Sequence, residues 1–240
     1  MTHWAFCEDL SNDRAVISDS EAHHLLHVAR LQTGSLLTLF DGHGTEATAA
    51  IASATRRDVQ CRVLAKTVHV RQNRAMLTVF ASPSKADRLK WMVEKLTELG
   101  VDRLVLLNTQ RTIVNPSDTK IDKLRANVVA ACKQCHRPFL MDLLPLQNFE
   151  SVITEISQQP QPALTFVAHP GMEREFAPAA FTSEQSLQLL IGPEGGFTDN
   201  EVQTAVDAGA IPMSWPSTIL RIETAAIVFS SLLLSRCASH

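Results

Sequence analysis

The chain has 240 residues, 45% of them hydrophobic, enough for one large domain or two modest ones around ordinary cores. With 22 Lys and Arg against 25 Asp and Glu the formal charge is −3, which excludes a uniformly basic nucleic-acid coat and leaves any RNA contact to a local patch. No apolar run approaches the ~20 residues that span a bilayer, and Met1-Thr2-His3-Trp4 lacks the basic start of a secretory signal, so a soluble cytoplasmic protein is expected.

The first part reads as β-rich. Short apolar stretches at Ala5–Cys7, Leu36–Phe40, Ala47–Ala54 and Val59–Val70 are separated by turn chemistry. Asp41-Gly42-His43-Gly44 is a hairpin signal between two of them. One helix is predicted over 20–30, with Ser18 and Glu21 at capping-box spacing ahead of it. Such strands with one helix make a small β-barrel, predicted over 1–72.

From 73 to 240 strands alternate with helices. Met76–Ala81 is an apolar run, and Lys85–Leu99 follows with Leu89, Met92, Val93, Leu96 and Leu99 on one helical face. Gly100 stands where a helix C-cap belongs. Leu104–Leu107 is a buried strand, and Ile121, Leu124, Val128 and Cys132 keep helical spacing. Leu140–Leu144, Leu164–Ala168 and Leu187–Ile191 are further strands, and Gln158–Pro162 is a loop. Thr198 and Glu201 make a second capping box, for a helix stopping at Gly209, and an apolar helix over Glu223–Cys237 closes the chain. This alternation predicts an α/β domain with a mostly parallel sheet covered on both faces.

Two segments carry candidate chemistry. Ile191-Gly192-Pro193-Glu194-Gly195-Gly196-Phe197 follows an apolar strand and precedes a capped helix. Its glycines let backbone approach a ligand at the carboxyl end of a strand. Glu194 repels a phosphate and suits a ligand with a cationic centre; a tight structural turn is the bland alternative. Ile219-Leu220-Arg221-Ile222-Glu223-Thr224 places three polar groups at the start of an apolar helix. Helix-dipole and capping preferences account for Glu223 and Thr224, but not for Arg221.

Other features are weaker. Cys132-Lys133-Gln134-Cys135-His136 has the spacing of c-type haem attachment, yet the odd count of five cysteines fits free thiols in a reducing compartment. His23, His24 and His27 have no evident carboxylate or thiolate partner, so no metal is expected. Arg56, Arg57, Arg62, Lys66, Arg71 and Arg74 could form a phosphate-facing patch or simply a solvated barrel face.

Both segments resemble the signatures of the RsmE family of the SPOUT superfamily, methyltransferases of uridine N3 in small-subunit (16S) ribosomal RNA. The likeness extends to His23-His24-Leu25 through Leu31, to Phe40-Asp41-Gly42, to Glu94 through Val101, and to Lys133-Gln134 with Arg137. It implies an N-terminal PUA-like barrel (1–72), a C-terminal SPOUT domain (73–240) with a trefoil knot, and a homodimer. It also implies S-adenosylmethionine as cofactor and ribosomal RNA or the assembled small subunit as partner, with no membrane. On this resemblance Arg221 and Glu223 are the expected catalytic residues. Ala168, His169, Gly192, Pro193, Glu194, Gly195, Gly196, Leu220 and Thr224 would hold the cofactor. Arg30, Arg56, Arg57, Arg62 and Arg137 would contact RNA. Trp215-Pro216-Ser217-Thr218 departs from the family's usual Leu-Gly pair and following Arg, and His3-Trp4-Ala5-Phe6 stands where an Arg before aromatics is common. Those departures keep open an alternative, a catalytically altered knotted dimer that acts as an RNA-binding module, and a weaker one, another nucleotide-using α/β enzyme.

Overall fold

The computed structural model describes residues 2–71, 75–159, 163–171 and 186–237. The predicted boundary at 72/73, Arg74 and the Pro160–Pro162 end of the predicted loop lie outside the described residues. Two compact units form: Met1–Gln72 with Val129–Leu140, and Asn73–Val128 with Met141–His240.

In the first unit, β1 (His3–Phe6), β2 (Arg14–Ser18), β3 (Leu36–Phe40), β4 (Thr45–Ala54) and β5 (Asp58–Val68) form one sheet ordered β1-β3-β4-β5-β2. β1 runs parallel to β3, and the other pairs are antiparallel. Period-two alternation turns Ala15 and Ile17, Ala47 and Ala49, and Val59 and Cys61 into a single core with Leu37, Leu39 and Leu25. Both edge strands feed that core, and the Cys7 thiol just beyond β1 donates to the Val16 carbonyl of β2 at 3.6 Å. The sheet therefore curls, helped by irregularities in the β4–β5 register at Thr48/Ala49 and Ile51/Ser53. Burial pushes the Cys61 thiol up to about 11, with Cys7 adding to the rise, so it packs as a small apolar group.

The helix predicted over 20–30 is instead α1 (Asp19–His23) followed by a π-helical turn, His24–Val28. Ser18 makes no side-chain cap. Glu21 is drawn away: its carboxylate accepts from Lys133 Nζ at 2.7 and 2.8 Å and from the Phe6 amide at 3.4 Å. An ammonium outcompetes a backbone N–H because charge-assisted bonds are the stronger ones. The predicted hairpin forms, with the Asp41 carboxylate accepting from the amides of His43 (2.7 Å) and Thr45 (2.9 Å).

In the second unit, β6 (Leu77–Ala81), β7 (Arg103–Asn108), β8 (Asp142–Asn148), β9 (Leu164–Ala168), β10 (Leu187–Ile191) and β11 (Ile211–Met213) form an all-parallel sheet ordered β11-β9-β10-β6-β7-β8. α2 (Ala86–Leu99), α3 (Asp118–Cys135), α4 (Phe149–Ser157), α5 (Asp199–Asp207) and α6 (Ile222–Cys237) connect and follow the strands, the part of α3 from Val129 on belonging to the first unit. β10 is buried at every position, as a central parallel strand requires. α6 packs on α2, β6 and β10. α2 ends at Gly100 with φ 88°, as predicted; Leu99, on the same face as buried Leu89, Met92, Val93 and Leu96, is exposed at the last turn. α4 was not predicted, although Phe149, Val152, Ile153 and Ile156 keep helical spacing; the three-residue β11 is too short to carry a pattern. No described helix is long and apolar enough to cross a membrane.

Candidate active site

The chain steps outward from β6 to β7 and β8, then returns to fill the other side of β6 with β10, β9 and β11. Strand order thus reverses between β6 and β10, and in open parallel sheets ligands bind beyond the carboxyl ends of strands at such a point. A cavity of about 410 Å³ lies beyond the carboxyl ends of β9, β10 and β11, on the β10 side of that reversal. Its wall is built by Ala168, His169 and Pro170 after β9, by Gly192, Pro193, Glu194 and Gly196 after β10, and by Ser214 and Trp215 after β11. Thr218, Ile219, Leu220 and Arg221 complete it on the approach to α6, with Arg88 of α2.

The two segments singled out in the sequence, separated in the chain by α5 and β11, thus share one cavity. Ala168, His169, Gly192, Pro193, Glu194, Gly196, Leu220 and Arg221 all line it. Gly195, Glu223 and Thr224 do not belong to its wall. Gly195 turns its carbonyl to Arg111, Thr224 is half-buried on α6, and Glu223 is buried behind the wall at 5% exposure.

The loop after β10 is shaped by close contacts. A Cβ on Gly192 would stand 3.0 Å from the Phe197 amide nitrogen and ring, and Gly196 takes φ +69°. Phe197 is buried, its ring 5.8 Å from that of Phe149. Thr198 and Glu201 form the predicted capping box at the start of α5. Glu201 has a second partner, since its Oε1 accepts from the Gln110 amide at 2.8 Å. Beside it Arg111 donates to the Gly195 carbonyl at 2.7 Å and the Phe197 carbonyl at 3.4 Å. The segment after β7 therefore braces the loop after β10. Sequence reasoning missed Gln110 and Arg111, which carry no local pattern.

Charged groups cluster around Arg88. Arg88 Nη1 lies 3.0 Å from Glu194 Oε1 and 4.0 Å from Glu223 Oε1. Glu223 Oε2 and His169 Nδ1 are buried and have no hydrogen-bond partner among the described residues. Arg221 is exposed at the wall. Met213, Trp215, Leu220 and Phe229 add apolar surface to the lining. A ligand with an apolar body and a charged end suits such a cavity. Arg88 was also missed; nothing in its neighbourhood in sequence announces its partners.

The residues expected to touch RNA fall in the first unit. Arg30, Arg56, Arg57 and Arg62 are exposed, and Arg137 is half-buried. Strand register adds Arg14, directly opposite Arg62 and equally exposed. Like charges facing each other across a strand pair repel, so an anion between them would be stabilising. Lys66 donates to the Ser11 carbonyl at 3.0 Å, and Arg71 lies 5.1 Å over the Phe139 ring. In the haem-like motif Cys132 is buried with its thiol toward the Phe139 carbonyl. The rings of His23 and His27 lie 4.6 Å apart. Among the described residues no group of His, Cys, Asp or Glu is placed to hold a metal ion.

Comparison with known proteins gives one direction. The RNA methyltransferase domain family matches residues 71–234, and the RNA methyltransferase PUA domain family matches residues 17–64. The ribosomal RNA small subunit methyltransferase E of Mycobacterium bovis is 29% identical over 219 residues, covering 89% of this chain and 83% of that protein. A protein of Legionella pneumophila described as a methyltransferase, solved with the cofactor SAM bound, has 26% identity and a TM-score of 0.86 over 98% of each chain. The ribosomal RNA small subunit methyltransferase E of Neisseria gonorrhoeae shares the fold, with a TM-score of 0.86 and 22% identity over 98% of each chain.

Proposed function

This chain belongs to the RNA methyltransferase domain family, and we propose that it transfers a methyl group from S-adenosylmethionine (SAM) to N3 of a uridine in 16S ribosomal RNA. The observation that carries the reading is one cavity at the carboxyl ends of β9, β10 and β11, walled by both the Gly192–Gly196 loop and the Leu220–Arg221 segment. Its size of about 410 Å³ falls in the range of small-molecule sites. The bound relative from Legionella pneumophila supports SAM as the ligand. So do features of this chain: backbone approach at Gly192 and Gly196, a carboxylate at Glu194 for a cationic ligand, and an orphaned polar atom on His169.

SAM supplies an electrophilic methyl on sulfur, which leaves the protein to align donor and acceptor. Ala168, His169, Gly192, Pro193, Glu194, Gly196 and Leu220, all in the cavity wall, hold the cofactor in this reading. The acceptor nitrogen must lose a proton, and the negative charge that develops spreads onto the base oxygens. Arg221, exposed at the wall, is the group that stabilises it. Glu223 is buried behind the wall, which favours a role in orienting neighbouring cations over direct proton removal. Residues 1–72 form the RNA-holding domain, with Arg30, Arg56, Arg57 and Arg62 as its contacts and Arg137 joining them from the Val129–Leu140 segment of the same unit; 73–240 is the knotted catalytic domain. A homodimer in the cytoplasm completes the proposal; exposed Trp91 and Ile219 supply apolar surface that a second copy would cover.

The test uses labelled SAM and small ribosomal subunits from a strain lacking the modification. The RNA is digested and searched for N3-methyluridine by mass spectrometry. N3-methyluridine is the expected product; a methyl on any other atom rejects the acceptor, and no transfer despite SAM binding rejects turnover. That last result would favour the RNA-binding-module reading, which Trp215 and Thr218 support because both stand in the cavity wall. On that reading Pro216→Gly with Thr218→Arg creates activity.

A further inference from the structure

Arg88 sits between two carboxylates of different character. Glu194 Oε1, 3.0 Å from its Nη1, belongs to a side chain 53% exposed on the loop after β10. Glu223 Oε1, 4.0 Å from the same nitrogen, belongs to a side chain 6% exposed at the start of α6. The near partner is wet and its pairing is weak by nature. The far partner is almost fully buried and leaves Oε2 without a hydrogen bond. A buried carboxylate oxygen with no donor is costly, and such an orphan in a native structure calls for an explanation. A planar guanidinium moved by about the difference between those distances could engage both Glu223 oxygens side by side, the geometry arginine favours with carboxylates.

We propose that Arg88 is a positioning residue shared between Glu194 and Glu223, held by Glu194 until a cationic ligand takes that carboxylate and then seated on Glu223. The inference rests on the reading of SAM as the ligand, whose ammonium and sulfonium supply the competing positive charge. Glu194 on the cavity wall is the carboxylate such a ligand meets, and Arg88 lines the same wall. Released from Glu194, Arg88 fills the hydrogen-bonding vacancy at Glu223. It thereby fixes the start of α6, two residues from Arg221, only in the loaded state. Cofactor binding and alignment of the acceptor end become linked through one side chain.

The experiment measures SAM affinity by calorimetry and methyl transfer to unmodified small subunits for wild type, Arg88→Met, Arg88→Lys, Glu223→Gln and the Arg88→Met/Glu223→Gln double variant. Removing Arg88 removes the competitor at Glu194, so SAM binds as tightly as before or up to ~3-fold tighter, the scale of an exposed ion pair. In the same variant kcat falls ~30-fold through lost alignment, Arg88→Lys recovers most of it, and the double variant is no slower than the slower single one. Weaker SAM binding in parallel with slower transfer would overturn the proposal, because Arg88 would then contact the cofactor itself. Unchanged kcat, or losses that multiply in the double variant, would overturn it as well. Should Arg88→Met fail to fold, Glu194→Gln carries the test: SAM affinity falls ~10-fold, the scale of one lost charge pairing in a partly enclosed site, and unchanged affinity rejects the exchange. A wild type that neither binds SAM nor transfers methyl rejects the parent reading; an active wild type with an equally active Arg88→Met rejects this inference alone.

Discussion

The two segments that wall the cavity are built in opposite ways. The loop from Gly192 to Thr198 is fixed from several sides: Gly196 at positive φ, Phe197 in the core, Thr198 in a capping box, and Arg111 on the carbonyls of Gly195 and Phe197. From Trp215 to Ile219 every residue is exposed, and so is Arg221. One wall is set before any ligand arrives, and the other presents side chains. Preorganised backbone suits a cofactor that is the same in every turnover, whereas exposed side chains suit an acceptor that arrives on a large RNA.

The comparison predicts where damage shows. Arg221→Ala strikes the side-chain wall at the proposed charge-stabilising group, so kcat falls by a factor of ~100 or more, the usual effect of removing such a donor. SAM affinity, measured by calorimetry, falls less than kcat does; an equal fall would place Arg221 on the cofactor instead. Arg111→Ala strikes the backbone wall. It removes bonds from a charged donor to two carbonyls, worth ~1.5–3 kcal/mol at a charged group. SAM affinity then weakens ~10-fold or more while kcat at saturation falls less, the reverse of Arg221→Ala. Equal profiles for the two variants would erase the distinction between the walls. Gly192→Ala probes the same wall more gently, since its Cβ would press at 3.0 Å on the Phe197 amide, which backbone cannot easily yield. SAM binding weakens by a smaller factor, ~3- to 10-fold, at a cost of ~1 kcal/mol of strain.

The same contrast explains what could be read from the sequence. Features fixed within a few residues were legible: the Gly192–Phe197 loop, the Thr198–Glu201 box, the Gly100 cap and the buried strands all carry their own spacing. The limit shows in Ser18 and Glu21, which have the same spacing as Thr198 and Glu201 but form no box. Lys133, 112 positions away, takes the carboxylate. Arg88 and Glu194 are 106 positions apart and Arg111 and Gly195 are 84 apart, so neither pairing leaves a local trace. Placing Arg88, on the helix after β6, in one cavity with Glu194 and Arg221 depends on the return of the chain across β6, a topological fact that periodicity does not encode. The resemblance to a family linked the Glu194 and Arg221 segments where spacing could not.

The Asp41 turn of the first unit offers the mildest test of how a loop is held. Burial raises the Asp41 carboxyl, but bonds from Thr45 and His43 outweigh it and hold the group below its ordinary value of 3.8. A depressed folded value means that stability is fully present above the unfolded value and is lost as pH falls through the folded one. Asp41→Ala therefore lowers stability at neutral pH by ~1 kcal/mol, the net scale of such bonds. The difference from wild type shrinks as both proteins are taken into the acid range below the ordinary carboxylate value, because protonation has already removed the wild-type advantage. Urea melts at a series of pH values measure it. A gap that stays constant into acid would mean that the turn is held by Gly42 and Gly44, which both take positive φ, rather than by the charge on Asp41. In the loop after β10 Arg111 donates to backbone carbonyls, and neither partner in those bonds titrates in the acid range, so the Arg111→Ala gap should persist over the pH range in which the Asp41→Ala gap closes.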